Sequence, residues 1–196
     1  MSDRETLNVY AARAQDYDRN FSRDTPDADL QRFIDAMPVG AQVLDLGCGP
    51  GAASGFMEQA GLKPEAWDPV PEMLALAAAR PGVIALQAGY DDLTATHSYD
   101  GIWCNFSMLH TPLAQWPNQI ARIRAALKPG GLFHMGTKLG SGEVRDKIGR
   151  LYSYMTEPDL TALITDTGFT IEHSRTGAEA GLSGEVAPFI ILQARA

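Results

Sequence analysis

Two hydrophobic periods alternate along this chain, one near 3.6 residues and one near 2, and their order predicts the fold. In 7–21 the residues Tyr10, Ala14, Tyr17 and Phe21 fall on one helical face. A second helix is expected over 26–37, with Thr25 as N-cap, Pro26 at the first helical position and Leu30, Phe33, Ile34 and Met37 turned inward. Strands are expected at 41–46, 65–67, 83–87, 99–104 and 132–137. Between them, helical patterns run over 52–60, from Pro71 to the Pro81-Gly82 break, and over 116–127. Beyond a polar, glycine-rich stretch at 140–150, expected to be a mobile loop, a capped helix (157–166) precedes strands at 169–174 and 188–194, an antiparallel pair joined through 177–184.

Strands alternating with helices at this spacing imply βαβ units, hence an α/β, doubly wound, mostly parallel sheet with helices on both faces. Ligands of such sheets sit beyond the carboxyl ends of the strands. That is where a glycine-rich turn at 47–51, Asp68, the Tyr90-Asp91-Asp92 segment and the 105–110 segment fall.

Composition narrows the classes. A chain of 196 residues with 45% hydrophobic content suits one domain, 1–196. A net charge of −8 argues against nucleic acid or an anionic membrane as partner. The acids concentrate in the first half, and bases cluster at 122–150. The two cysteines, Cys48 and Cys104, lack metal-ligand spacing, so no metal is expected. They suit a reducing compartment, and with no basic-then-apolar N-terminal segment and no long apolar run the expectation is a cytoplasmic monomer or homodimer acting on a small molecule.

The stretch VLDLGCGPG at 43–51 reads as a buried strand breaking into a tight turn. Gly47, Gly49 and Ala52 formally satisfy a dinucleotide fingerprint, so an NAD(P)-dependent oxidoreductase is one reading. Asp68 suits ribose hydroxyls in any nucleoside cofactor. Asp45 discriminates: a carboxylate beside a pyrophosphate is repulsive, by several kcal/mol on a rough scale in a partly dry site, so a cofactor with a positive end fits better. Its bland alternative is a cap on the turn.

VLDLGCGPG at 43–51, DPVPEML at 68–74 and LKPGG at 127–131, in this order, resemble the class I S-adenosylmethionine-dependent methyltransferases. More narrowly, DGIW at 100–103, LHTP at 109–112 and RLYSY at 150–154 resemble small bacterial members of uncertain substrate. The likeness spans about 10–196 and implies a seven-stranded sheet in the order 3-2-1-4-5-7-6, strand 7 antiparallel. S-adenosylmethionine is the implied cofactor. Gly47, Gly49 and Gly51 would lie along its methionine and ribose parts, with Cys48 and Pro69 in the same loops. Asp45 would sit near the ammonium, Asp68 on the ribose hydroxyls, Met73 on the adenine, Tyr90 and Asp91 at the adenine edge, and Asn105 beside the sulfonium. Relatives often have Gly-Asp where this chain has Ala88-Gly89, and Arg where it has Ala52. The N-terminal segment 1–24, with Tyr10, would be a helical lid.

The implied activity is methyl transfer to a small acceptor. His110 and Tyr17 are the candidate bases if the acceptor must lose a proton. The segment 138–155 lies on the side an acceptor approaches. There His110, Lys138, Arg145, Arg150 and Tyr152 are candidate substrate contacts, able together to gather an anionic acceptor. The bland readings are a helix-leading histidine and surface cations. A non-catalytic S-adenosylmethionine-binding module remains the third reading, because no universal catalytic residue marks this family.

Overall fold

Successive residues of a strand face opposite sides of a sheet, and β1 (Gln42–Leu46) shows the consequence. Val43 enters one apolar cluster and Leu44 and Leu46 another, so both faces are covered. The computed structural model describes residues 3–196. Over the Val43 face lie α3 (Ala28–Asp35) and α4 (Ala52–Gln59), bringing Leu30, Phe33, Ile34 and Met57 onto Val43, Trp103 and Leu132. Over the other lie α6 (Trp116–Ala126) and α7 (Glu157–Asp166), where Trp116, Ile120, Ile123, Leu160 and Ile164 pack on Ile102, Cys104, Phe133 and Met135.

The remaining strands are β2 (Lys63–Asp68), β3 (Ile84–Gln87), β4 (Tyr99–Asn105), β5 (Leu127–Lys138), β8 (Thr170–Ala180) and β9 (Val186–Arg195). Between β2 and β3 runs α5 (Pro71–Ala78), with proline in its first turn. The sheet order is β3-β2-β1-β4-β5-β9-β8, which is the expected 3-2-1-4-5-7-6 counted within the sheet. The pairs β1–β2, β1–β4, β2–β3 and β4–β5 are parallel, and β9 runs antiparallel to both β5 and β8.

Three expectations need correction. The N-terminal helix is two, α1 (Arg4–Ala12) and α2 (Ala14–Phe21). Arg13 leaves helical geometry at φ −124° and ψ 16°, and its N–H turns to the Tyr10 carbonyl three residues back. The next helix is capped by Asp27, whose carboxylate accepts from the N–H groups of Asp29 and Leu30, so Thr25 and Pro26 lie outside it. The stretch expected to be a mobile loop contains a hairpin, β6 (Gly142–Arg145) with β7 (Leu151–Tyr154). Its turn is pinned by Asp146, which accepts from the N–H groups of Ile148 and Arg150 and from the Arg150 guanidinium. All of β6 is exposed, so no apolar alternation marked it. The other pairings extend strands already expected: β8 and β9 continue past 174 and start before 188, which shortens their connection.

Phe33 is fully buried, with its ring 5.2 Å from that of Trp103 in an edge-to-face contact. Phe33→Ala is expected to cost about 3–5 kcal/mol. Urea unfolding should show it as a lower midpoint at unchanged slope.

Candidate functional site

The carboxyl ends of β1, β2 and β4 converge on a cleft enclosing about 700 Å³ of space continuous with solvent. The turn after β1 forms its floor. Gly47 has φ +79°, and a Cβ there would stand 2.3 Å from the Cβ of Ser107, so only glycine lets the segment after β4 come this close. Ser107 donates to the Leu46 carbonyl at 2.8 Å and shares a 2.7 Å hydrogen bond with the Tyr90 hydroxyl, which also meets Cys104 Sγ at 2.8 Å. These bonds tie three strand ends together around the cleft.

Asp68 closes β2. It is 7% exposed; one carboxylate oxygen accepts the Gly49 N–H at 2.9 Å and the other the Val70 N–H at 2.9 Å. Burial nevertheless pushes its pKa up to about 6. Along with Asp68, the expected residues Tyr10, Gly47, Gly49, Pro69, Met73, Tyr90 and Asn105 line the cleft. The N-terminal helices contribute Thr6, Leu7, Tyr10 and Tyr17, packed through Leu7, Tyr10, Ala14 and Tyr17 against Val70 and Met73.

Four expected cofactor contacts lie elsewhere. Asp45 shares its face of β1 with Val43, which is the face α4 covers. It is 2% exposed, accepts from the Ser54 hydroxyl at 2.6 Å, and burial raises its pKa to about 7. Its charge stands behind the cleft wall rather than on it. Gly51 caps α4 with φ +73°, and a Cβ there would be 2.7 Å from the Cβ of Ala77, so this glycine serves the contact with α5. Cys48 is buried among Ala66 and Ala77, which drives its thiol pKa far up. Asp91 sits outside the lining, its carbonyl accepting from Arg122. Asn105 lines the cleft, yet its side-chain oxygen accepts from His134 Nε2 at 3.2 Å.

A second cavity, about 460 Å³, adjoins the first and shares Tyr10, Tyr17, Phe106 and His110 with it. Phe21, Leu109, Tyr152, Ala180 and Leu182 extend its apolar wall, and Lys138, Arg150 and Glu179 make its polar one. These cations are already engaged. Arg150, 2% exposed, pairs with Asp146 at 2.8 Å and donates to the Tyr10 hydroxyl at 2.8 Å. Lys138 donates to the Glu179 carbonyl at 3.1 Å, has the Glu179 carboxylate 3.8 Å away, and lies over the rings of Phe106 and Phe189. Arg145 lines neither cavity; it grips Asp3 at 2.7 Å and Glu5 at 3.2 Å, fastening α1 to the hairpin, and holds the Asp3 carboxyl well below the usual range.

His110 is buried between the cavities. Its Nδ1 meets the Leu151 carbonyl at 2.6 Å and its Nε2 the Tyr10 hydroxyl at 2.7 Å. Burial lowers its pKa to about 4, so the ring is neutral near pH 7. Tyr17 stands edge-on to Tyr10, ring centroids 5.7 Å apart. Residues missed by sequence reasoning are Thr6, Leu7, Leu46, Val70, Gly89, Phe106, Ser107 and Thr111. Phe106 has φ +53°. Such a bend after a strand carries no sequence signal, whereas Ser107 could have been inferred from its place at the end of β4 facing the glycine turn.

The cleft suits S-adenosylmethionine. Its only formally charged wall is the Asp68 carboxylate, and among its lining residues there is no Lys or Arg to meet a phosphate. A nucleoside cofactor with a cationic end fits that donor set, and a dinucleotide does not.

Comparison with known proteins agrees with this geometry. A family model described as "Methyltransferase domain" matches residues 43–131. A ubiquinone biosynthesis O-methyltransferase of Xanthomonas axonopodis pv. citri (strain 306) is 35% identical over 108 residues, covering 51% of this chain and 44% of that protein. The chain thus spans about half the length of the curated relatives it matches or less. Among solved structures, 1,6-didemethyltoxoflavin-N1-methyltransferase of Burkholderia thailandensis, with 1,6-didemethyltoxoflavin and S-adenosylhomocysteine bound, superposes with a TM-score of 0.71. It is 23% identical, and the match covers 100% of this chain and 90% of that one. A methyltransferase of Methanosarcina mazei superposes at 0.74, with 20% identity and 87% and 97% coverage.

Asp68 and Asp45 are partly protonated at mildly acid pH. A ligand whose hydroxyls and ammonium favour the ionised acids must expel those protons, so affinity rises with pH. From pH 5.5 to 7.5, Asp68 alone should tighten S-adenosylhomocysteine about fourfold, by the change in its ionised fraction. Calorimetry in buffers of different ionisation enthalpy should record proton release on binding below pH 7. An affinity independent of pH, with no proton release, would remove this coupling.

Proposed function

We propose that the chain is a class I S-adenosylmethionine-dependent methyltransferase that transfers the methyl of S-adenosylmethionine to a small, flat acceptor bearing a phenolic hydroxyl or a ring N–H. The observation that carries this reading is the pair of adjoining cavities with a shared wall: one acidic and free of cations, the other faced by Tyr10, Tyr17, Phe21, Phe106 and Tyr152. Aromatic walls favour a planar aromatic guest through offset and edge-on ring contacts. An anionic acceptor, the earlier expectation, is poorly served, because Arg145 and Arg150 are neutralised by Asp3, Glu5 and Asp146, and Lys138 faces Glu179. The names of the relatives support the same class: one is an O-methyltransferase of ubiquinone biosynthesis, and another was solved with 1,6-didemethyltoxoflavin.

S-adenosylmethionine supplies an activated methyl on a cationic sulfur. This chain's residues hold the two reactants and keep water out. Asp68 would take the ribose hydroxyls, its alignment set by the Gly49 and Val70 amides. Met73 and Val70 offer an apolar floor, and Tyr10 and Tyr17 cover the junction from the N-terminal side. Holding both reactants in line can contribute about 7–11 kcal/mol of the barrier. The α1 contacts with the hairpin make closure over the site a natural part of turnover.

S-adenosylhomocysteine should bind, and catechol offered with S-adenosylmethionine should yield it as product. Asp68→Ala, which deletes hydrogen bonds to a charged acceptor, should raise the KM for S-adenosylmethionine by about 10–100-fold. Arg145→Ala should leave the acceptor KM within about threefold, because exposed ion pairs contribute little. No binding of S-adenosylhomocysteine would collapse the reading. Binding without transfer to any aromatic acceptor would favour a non-catalytic module.

A further inference from the structure

Three polar side chains meet at the wall shared by the two cavities, and their hydrogens can be assigned. The Leu151 carbonyl only accepts, so Nδ1 of His110, 2.6 Å away, carries the ring hydrogen. In the neutral imidazole Nε2 is then the acceptor, and the Tyr10 hydroxyl donates to it across 2.7 Å. A guanidinium only donates, so Arg150 Nη1, at 2.8 Å, occupies one lone pair of the Tyr10 oxygen. A phenolic oxygen has two. The second is left for a donor from the cavities, both of which Tyr10 lines.

His110 cannot serve as the base in person, since both its nitrogens are engaged within the protein. Tyr10 is the group that faces the reactants. Resting on the methyl-transfer reading above, we propose that Tyr10 is a catalytic residue that takes the acceptor's hydroxyl proton and passes its own to His110, with Arg150 and the Leu151 carbonyl as positioning groups.

The step balances. As a lone pair of the acceptor oxygen forms the new O–CH₃ bond, the electrons of the broken S–CH₃ bond stay on sulfur. The acceptor's proton moves to the Tyr10 oxygen, and the Tyr10 proton moves to Nε2 of His110, giving imidazolium. The cation lost at sulfur reappears on the ring, which returns its proton through Tyr10 to water once the product has left. A weak base suffices, because an oxygen that has gained a third bond is far more acidic than imidazolium and gives up its proton late in the transfer. The charged groups facing His110 are Arg150 and Asp146 of the hairpin and Asp3 at the start of α1, with Tyr152 edge-on at 4.8 Å. Burial keeps the ring neutral against the pull of the two carboxylates, so it is ready to accept at physiological pH.

Two probes separate this role from packing. Catechol is neutral at pH 7.5 and must lose a proton, whereas 4-nitrocatechol at pH 8 arrives largely ionised. With catechol, Tyr10→Phe and His110→Ala are expected to lower kcat by about 10²–10⁴-fold with KM within threefold. With ionised 4-nitrocatechol the loss should shrink to less than about tenfold. Free imidazole should restore part of the His110→Ala rate and none of the Tyr10→Phe rate. Calorimetry with S-adenosylhomocysteine serves as the folding control, and Tyr10→Phe, which removes one oxygen, backs up the bulkier change at His110. Equal losses on both probes, an unaffected catechol rate in Tyr10→Phe, or no turnover of either probe by a wild type that binds S-adenosylhomocysteine would each overturn the inference. A wild type that does not bind S-adenosylhomocysteine would overturn the methyltransferase reading beneath it.

Discussion

One buried carboxylate, that of Asp68, holds the cofactor end of the sheet in shape. Its two oxygens take amides from different loops, Gly49 after β1 and Val70 before α5, and so fix the width of the cleft between neighbouring strand ends. The Trp67 carbonyl reinforces this, accepting the N–H groups of both Gly47 and Cys48. Ionisation in so dry a place is unfavourable, which is why the group lies above the usual carboxylate range even while accepting two amides. A site that costs stability in this way is poised for a ligand that restores the charge's partners.

The fold was legible because the features that set it are local. The apolar run in 41–46, proline at the start of the helix at 71 and the Lys-Pro-Gly-Gly break after 127 each speak through propensity within a few residues. The glycine turn was legible too, since a close approach leaves a vacancy in the sequence where a side chain should be. Ser107, the residue that fills the space over Gly47, is marked by its place at the end of β4 facing that turn.

What escaped reading is non-local or depends on side-chain direction. The resemblance places Asp45 near the ammonium of the cofactor, while the pleat puts it with Val43 on the face that α4 covers. Arg145 and Arg150 were read as cations waiting for an anion. Their partners are Asp3, more than a hundred residues away, and Asp146, whose side chain folds back on its own turn. Charge runs in a sequence give the number of cations without their partners, and here the partners decide the chemistry. The hairpin escapes for a related reason: β6 is exposed throughout, and the pair is joined to α1 by side chains distant in sequence.

Those tethers give the N-terminal segment a stability different from that of the sheet. The central strands and their helices are held by dry apolar contact, whereas Thr6 is the one fully buried residue of α1. Beyond the contact of Leu7 and Tyr10 with Val70 and Met73, the helix is held by polar links to the hairpin: Arg145 to Asp3, the Leu151 N–H to the Thr6 hydroxyl at 2.8 Å, and Arg150 to Tyr10. Hydrogen bonds and exposed ion pairs are exchanged for water at small net cost, while opening an apolar core is not. Polar links of this kind open locally at lower cost than the apolar core beneath them. Tyr10 of α1 lines both cavities and meets His110 across 2.7 Å, so the wall between the cavities and the polar chain behind it share one residue. The wall and the proton path thus depend on a single tyrosine, carried by a helix that polar links join to the hairpin and apolar contact joins to Val70 and Met73.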